Sequence, residues 1–307
     1  MLPIMVFFTR HSKDTLMHIY SRFMEKQMFK KNERSTRRSF VQAISAAAAA
    51  TTFLSSNTLS TYAASSSKTQ LDSNHPSGTG INVLLVHGAF VDASSWNKVI
   101  PLLQDYGLNV LAVQNPLTSL QDDINATSQA LASLSGPTIL VGHSYGGSVI
   151  TNINTQNSNV AGLVYIAAYA PEVGESVGAL NAQFPASPAA AHFGPAYQNG
   201  FVWIDPSFFP DTFVQDISRR EARALAVTQK PTSLACFEPV SGDPAWKHIP
   251  SWYLVSSNDR TIQPDAERFM AQRIGATTRE IASSHASPVS HPYEVASIIL
   301  LAARHAR

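Results

Sequence analysis

The 307-residue chain has a single cysteine, Cys236, which excludes an internal disulfide and a cysteine-rich metal site. Charged residues are also scarce, at 14%, while 44% of the residues are hydrophobic. The chain can therefore bury a core, and it does not have the composition of a disordered polymer. No apolar run reaches the roughly 20 residues that a membrane-spanning helix needs. We expect Cys236 to be a small buried apolar side chain.

Positive charge is concentrated at the start of the chain. Residues 1–70 hold ten Lys/Arg and three Asp/Glu, a net charge of +7, whereas residues 71–307 hold twelve and eighteen, a net charge of −6. Phosphate binding needs a basic surface, so the acidic body argues against nucleic acid as a partner.

The basic segment has the order of an export signal. A positive stretch at 28–39 contains the pair Arg37 and Arg38, an uncharged run follows at 40–54, and small residues follow at 61–67. The string TRRSFVQ resembles a twin-arginine signal. We therefore expect an export region at 1–64, with 28–64 as the signal and 1–27 as an over-extended start. A basic helix of the fold and a retained membrane anchor are the alternatives.

This interpretation predicts a periplasmic or secreted protein that engages the twin-arginine export machinery and has no stable membrane insertion in its mature form. Residues 65–80 are then a linker, and 81–307 are the folded domain.

The body alternates strand-like and helix-like segments. Aliphatic runs occur at 81–88, 108–114, 137–143, 160–168, 251–257 and 277–283, and helical spacing occurs at 120–134, 266–274 and 292–303. This alternation predicts an α/β fold, with a mostly parallel sheet covered by helices on both faces. The interval 171–249 is too long for an ordinary connection. We expect it to form a mostly helical cap over the sheet, the alternative being an irregular surface excursion.

The segment VGHSYGGSVI contains a G-x-S-x-G motif at 142–146 between an aliphatic strand and a helix-compatible stretch. A serine at such a sharp turn projects its hydroxyl, and its neighbours must lack side chains that would clash. The glycines do not have the dinucleotide spacing, and no Walker lysine follows them, which disfavours a phosphate-binding loop. The motif predicts that Ser144 is a nucleophile.

With LLVHGAF at 84–90, Trp96, GHSYGG at 142–147 and LVYIAAYAP at 163–171, the chain resembles an α/β-hydrolase. The similarity is to the small esterase branch that includes plant methylesterases and hydroxynitrile lyases. It implies that the acid and the histidine follow the serine in that order.

The resemblance implies Asp259 as the acid, because Asp259, Ile262 and Pro264 match a family string after a late strand. Asp265 is more simply a first-turn acidic residue, and Glu172 is an alternative acid position. The same pattern implies His285 as the base rather than His291, which precedes a proline and is expected near a helix cap.

The backbone N–H groups of Ala89 and Tyr145 are, by resemblance, the donors of an oxyanion hole, and His87 and His143 are expected to be structural. Candidate walls for a substrate pocket are aromatic: Phe201, Trp203, Phe208, Phe209, Trp246 and Trp252.

The function implied is hydrolysis of a small or medium uncharged carboxylic ester through an acyl-enzyme, with no cofactor and no metal. A hydroxynitrile lyase, a cofactor-free perhydrolase and a non-catalytic ligand receptor are the alternatives. Gly88 and Ala286 argue against the lyase, which typically has Thr and Lys at these positions.

The export signal can be tested by replacing both arginines with lysine. Arg37→Lys with Arg38→Lys should leave an active precursor inside the cell, whereas the wild type should be found outside the inner membrane with an N-terminus near Ala64. Cell fractionation with N-terminal sequencing makes the measurement. Equal export of the two forms would reduce the arginine pair to a generic basic region.

Overall fold

A computed structural model describes residues 80–156 and 158–306. Its central sheet has six strands in the order β2-β1-β3-β4-β8-β9, all of them parallel. The strands are β1 (Asn82–Val86), β2 (Asn109–Val113), β3 (Thr138–His143), β4 (Val160–Ile166), β8 (Ser251–Ser256) and β9 (Thr277–Ile281). Each lies within the run that predicted it, and the α/β prediction is confirmed.

Helices connect these strands and extend into the segment over the sheet. They are α1 (Ile100–Asp105), α2 (Leu120–Ala132), α3 (Gly146–Thr151), α4 (Val177–Asn181), α5 (Phe209–Thr212), α6 (Arg219–Val227), α7 (Pro264–Arg273), α8 (Ser287–Ser290) and α9 (Pro292–His305). Short 3-10 turns lie at Ala93–Trp96, Pro188–His192, Leu234–Cys236 and Ala245–Lys247. None of the helices in the described part of the chain is long and apolar enough to span a bilayer.

The inner strands of the sheet are buried on both faces, which explains their unbroken aliphatic runs, whereas the edge strand β9 is mostly exposed. In β1, Val83 and Leu85 pack on one face with residues of α1 and α9, and Leu84 and Val86 pack on the other with residues of α2, α3 and α7. Every residue of β1, β3 and β8 is buried. The core is thus two apolar layers separated by the sheet.

The cap segment 171–249 contains a small sheet that the sequence analysis did not predict. Strands β5 (Phe193–Pro195), β6 (Phe201–Ile204) and β7 (Thr232–Ser233) pair antiparallel. Helical residues still outnumber strand residues there, as expected for a mostly helical cap. Strands of two to four residues are too short to produce a visible alternation.

The predicted export region, 1–64, and the linker up to residue 79 lie outside the described residues. Their boundaries stay predictions. Cys236 is 1% exposed, which agrees with the expected buried apolar role.

Helix α3 packs against the sheet through glycine, and this contact can be tested. A Cβ added at Gly147 would lie 2.3 Å from the carbonyl oxygen of Tyr169. Gly147→Ala should therefore destabilise the fold by about 1–3 kcal/mol. Gly178 in α4 is the control, since its nearest neighbours would be 3.8 Å away. Gly178→Ala should be neutral or stabilise by up to about 1 kcal/mol. Denaturant unfolding measures both, and equal effects would contradict the packing argument.

Candidate active site

Ser144 lies at the turn between β3 and α3 with φ 54°, a left-handed backbone that is uncommon for serine. The flanking glycines make this turn possible. A Cβ at Gly142 would lie 2.6 Å from the carbonyl oxygen of Gly146, and one at Gly146 would lie 2.5 Å from that of Val86. Backbone atoms thus occupy the space that a side chain at either position would need, so glycine is required at both.

A chain of hydrogen bonds runs from Ser144 through His285 to Asp259. The Ser144 Oγ lies 2.8 Å from His285 Nε2, and His285 Nδ1 lies 2.5 Å from Asp259 Oδ2. The imidazole and the carboxylate are both fully buried. Asp259 Oδ1 accepts from the N–H groups of Thr261 and Ile262, at 2.6 and 2.9 Å, which fixes the carboxylate plane. The structure brings the three predicted side chains together.

The alternative acids and the alternative base lie elsewhere. Glu172 pairs with Lys247 at 2.5 Å, and Asp265 pairs with Arg268 at 2.7 Å, both at the surface. His291 is the N-cap residue of α9, as expected, and its Nδ1 is 3.5 Å from a carboxylate oxygen of Asp216. Neither acid has a bond to His285 among the described residues.

The two other histidines of the site hold backbone groups. His143 Nε2 donates to the carbonyl oxygen of His285 at 2.9 Å, so its Nδ1 carries no proton. His87 Nε2 accepts from the N–H of Asn115 at 3.0 Å, so its Nδ1–H donates to the Gly88 carbonyl oxygen. Burial lowers the pKa of His87 to about 4 and that of His143 to about 3. Both are therefore neutral donors that support the loops of Gly88 and His285.

The backbone at Ala89 and Tyr145 has the properties of an anion site. Neither N–H donates to an acceptor within 80–156 or 158–306. Tyr145 follows Ser144 directly, and a Cβ at Gly88 would lie 2.7 Å from the Ser144 Cβ, so the loop that carries Ala89 passes close to the serine. The Tyr145 ring is anchored away from this point, since its hydroxyl donates to Asp123 at 2.8 Å.

A cavity of about 480 Å³ lies between the 91–98 segment, helix α6 and helix α8. Its walls include His143 and Ala286, the chain neighbours of Ser144 and His285. Its apolar walls are Phe90, Phe209, Phe213, Leu225 and Val289. Lys98 and Glu221, which pair at 2.8 Å, also line it and connect the body to α6. Asp92 also lines it, while most of the remaining wall is apolar.

Of the six aromatic residues expected at the pocket, only Phe209 lines this cavity. Trp252 packs on the opposite face of the sheet, beside His305, and Trp246 donates its indole N–H to the carbonyl oxygen of Pro171. Phe213 was not among the expected residues, yet it lines the cavity, and its ring stands edge-on to the His285 ring at 4.8 Å. Composition alone could not separate these residues, because cap, core and pocket all use aromatic side chains.

The alpha/beta hydrolase family profile matches residues 83–298, which include the turn, the acid and the histidine. The chain belongs to the alpha/beta hydrolase family. Polyneuridine aldehyde esterase of Rauvolfia serpentina is 23% identical over an alignment of 247 residues, which covers 71% of this hydrolase and 93% of the relative. Methylesterase 8 of Arabidopsis thaliana is 22% identical over 205 residues, 61% and 75% of the two chains.

Solved structures share the fold of this hydrolase. The pyrethroid hydrolase of Sphingobium faniae superposes with a TM-score of 0.62 at 20% identity, over 73% of this chain and 98% of that one. The described residues of the hydrolase contain no group of three or more His, Cys, Asp or Glu that could hold a metal ion.

The two C-terminal histidines give a matched pair of variants. His285→Ala removes the group that contacts Ser144 and should lower kcat for hydrolysis by at least ~10³-fold. His291→Ala removes only contacts with Ser290 and Asp216 and should keep most of the activity. Steady-state kinetics on both purified variants make the comparison. A swapped result would move the base to His291.

Proposed function

We propose that the protein is a serine hydrolase that cleaves a small or medium uncharged carboxylic ester through an acyl-enzyme on Ser144. The observation that carries this proposal is the unbroken hydrogen-bond chain from the Ser144 Oγ to the Asp259 carboxylate. Its order and contacts are those of a nucleophile, a base and an orienting acid. The esterase relatives from plants support the same reaction class.

In the first step the Ser144 Oγ attacks the ester carbonyl carbon while His285 Nε2 takes the hydroxyl proton. The Ala89 and Tyr145 N–H groups donate to the oxygen that becomes negative. His285 then gives the proton to the leaving alcohol oxygen, and the C–O bond breaks. Water attacks the acyl carbon in the second half, with His285 as base, and the acid and free Ser144 are released. Asp259 holds the imidazole and stabilises its cationic form throughout.

The cavity supports an ester with apolar groups on at least one side of the carbonyl. Phe90, Phe213 and Val289 offer no charged partner, and a volume of about 480 Å³ is in the range of small-molecule sites. Lys98 and Glu221 compensate each other, and Asp92 leaves the lining with one negative charge, which disfavours an anionic substrate.

The packing at Gly88 argues against the lyase alternative. Because even a Cβ at this position would lie 2.7 Å from the Ser144 Cβ, a threonine does not fit without movement of the loop. Ala286, where the lyases typically carry lysine, is buried and has no charge to offer.

We also propose that the enzyme acts outside the inner membrane after export by the twin-arginine route. The support is the sequence of residues 28–64, with its arginine pair followed by an uncharged run.

Covalent catalysis gives a direct test. Ser144→Ala should lower kcat by at least ~10³-fold, because the members of such a set act as a unit. A fluorophosphonate probe should label the wild type at Ser144 and leave the variant unlabelled. A panel of p-nitrophenyl esters of increasing acyl length then defines the substrate. Near-normal turnover by Ser144→Ala would refute the proposed mechanism.

A further inference from the structure

A second carboxyl group, that of Glu267, lies behind Asp259 in the interior. Glu267 is in the first turn of α7 and is completely buried. Its Oε2 accepts from the N–H of Ser256 at the end of β8, at 2.9 Å. Its Oε1 is buried too, and no donor group among the described residues hydrogen-bonds to it. The reaction described above does not use this group.

No cation forms an ion pair with Glu267 within 80–156 and 158–306, and the charge of Arg268 is the smallest of the influences on its pKa. Its chain neighbour Arg268 binds Asp265 and Glu280 at the surface. Tyr253 on β8 and Tyr169 after β4 also face it, and burial keeps the pKa of both phenols above the usual value.

The Asp259 carboxylate is the remaining neighbour, close enough for the two carboxyl groups to interact directly. Burial, and then the charge of Asp259, raise the pKa of Glu267 well above its usual value. Two ionised carboxylates in contact without a cation are strongly unfavourable.

The hydrogen-bond capacity of Asp259 leaves room for one more donor. An ionised carboxylate offers about four acceptor positions. Thr261 N–H and Ile262 N–H use two of them, and His285 Nδ1 uses a third. A protonated Glu267 can supply the fourth contact, with Oε1 as the atom left to carry the proton.

We propose that Glu267 is held as a neutral carboxylic acid whose O–H donates to Asp259, and that it is a positioning residue for the acid of the site. The proton stays on Glu267, so Asp259 remains the anion that faces His285. The functional part of this inference rests on the proposed hydrolase mechanism, but the protonation state of Glu267 does not.

Infrared spectroscopy tests the protonation state without turnover. The difference spectrum between wild type and Glu267→Gln at pH 7 should contain the carbonyl band of a protonated carboxylic acid. Asp265→Asn is the control, because Asp265 is 82% exposed on the same helix and should contribute only a carboxylate band. The same difference should persist in a Ser144→Ala background. A difference spectrum with a carboxylate band alone for Glu267 would overturn the proposal.

The pH dependence of stability gives a second test. An unfolded glutamic acid loses its proton near pH ~4.3, whereas the folded Glu267 keeps it. The folded state therefore binds one more proton, and wild type should lose stability relative to Glu267→Gln as pH rises from 5 to 8. The ratio of the two unfolding constants should change by about tenfold per pH unit until the folded group titrates. Denaturant titrations measure the ratio, and a ratio constant over this range contradicts the neutral form.

Activity tests the positioning role. Glu267→Gln keeps an acceptor for Ser256 and a donor for Asp259, whereas Glu267→Leu has neither. The leucine variant should lose at least about tenfold in kcat with little change in KM, and glutamine should restore most of that loss. Equal kcat for leucine and wild type, or equal loss for both variants, would refute the role.

If the wild type hydrolyses no ester while the acid band is present, the proposed function fails and the assignment of the buried acid stands.

Discussion

The parallel hydrogen bonding of β1, β3, β8 and β9 puts their carboxyl ends at one edge of the sheet, and the site depends on this arrangement. The four loops that follow these strands carry Ala89, Ser144, Asp259 and His285. These residues are far apart in the sequence, yet none needs a long excursion to reach the others. The close packing of Gly142, Gly146 and Gly147 then fixes the serine turn against β1 and the end of β4. The direction of the strands thus brings the four residues near one another, and the glycine contacts fix the position of Ser144.

The polar groups of the site lie in a dry interior, where an unpaired charge is costly. The structure meets this constraint with neutral groups. His143 and His87 remain uncharged and bind the carbonyl oxygens of His285 and Gly88, in the loops beside Ser144. Asp259 is the exception, and it is surrounded by N–H donors rather than by a cation. A charge held by fixed dipoles needs no reorganisation when the imidazole becomes positive.

The sequence predicted the sheet well because buried parallel strands leave continuous aliphatic runs with polar ends. The G-x-S-x-G motif was also recognisable, since a sharp turn restricts residue types, whereas Asp259 and His285 were implied by the family resemblance. The cavity was not readable, because Phe90, Phe213 and Leu225 come from separate segments of the body and cap. Trp252 could have been placed by strand alternation, since Tyr253 next to it faces the layer that contains α7.

The burial of Glu267 was also not predicted from the sequence. An acidic residue in the first turn of a helix is readily explained by the helix dipole. Yet Glu267, Met270, Ala271 and Ile274 follow the i, i+3, i+4, i+7 spacing of a buried face, and all four are buried. This spacing was the signal in the sequence for a buried Glu267, but the charge of the residue favoured a surface position.

The left-handed backbone of Ser144 places its hydroxyl in the site but lowers the stability of the fold. A non-glycine residue in this region stores of the order of 1–3 kcal/mol of strain, which glycine does not. A change from serine to glycine at this position would relax the turn and, in the proposed mechanism, remove the nucleophile in one step. Stability and turnover are therefore separate properties at this position, and a gain in the first can accompany the loss of the second.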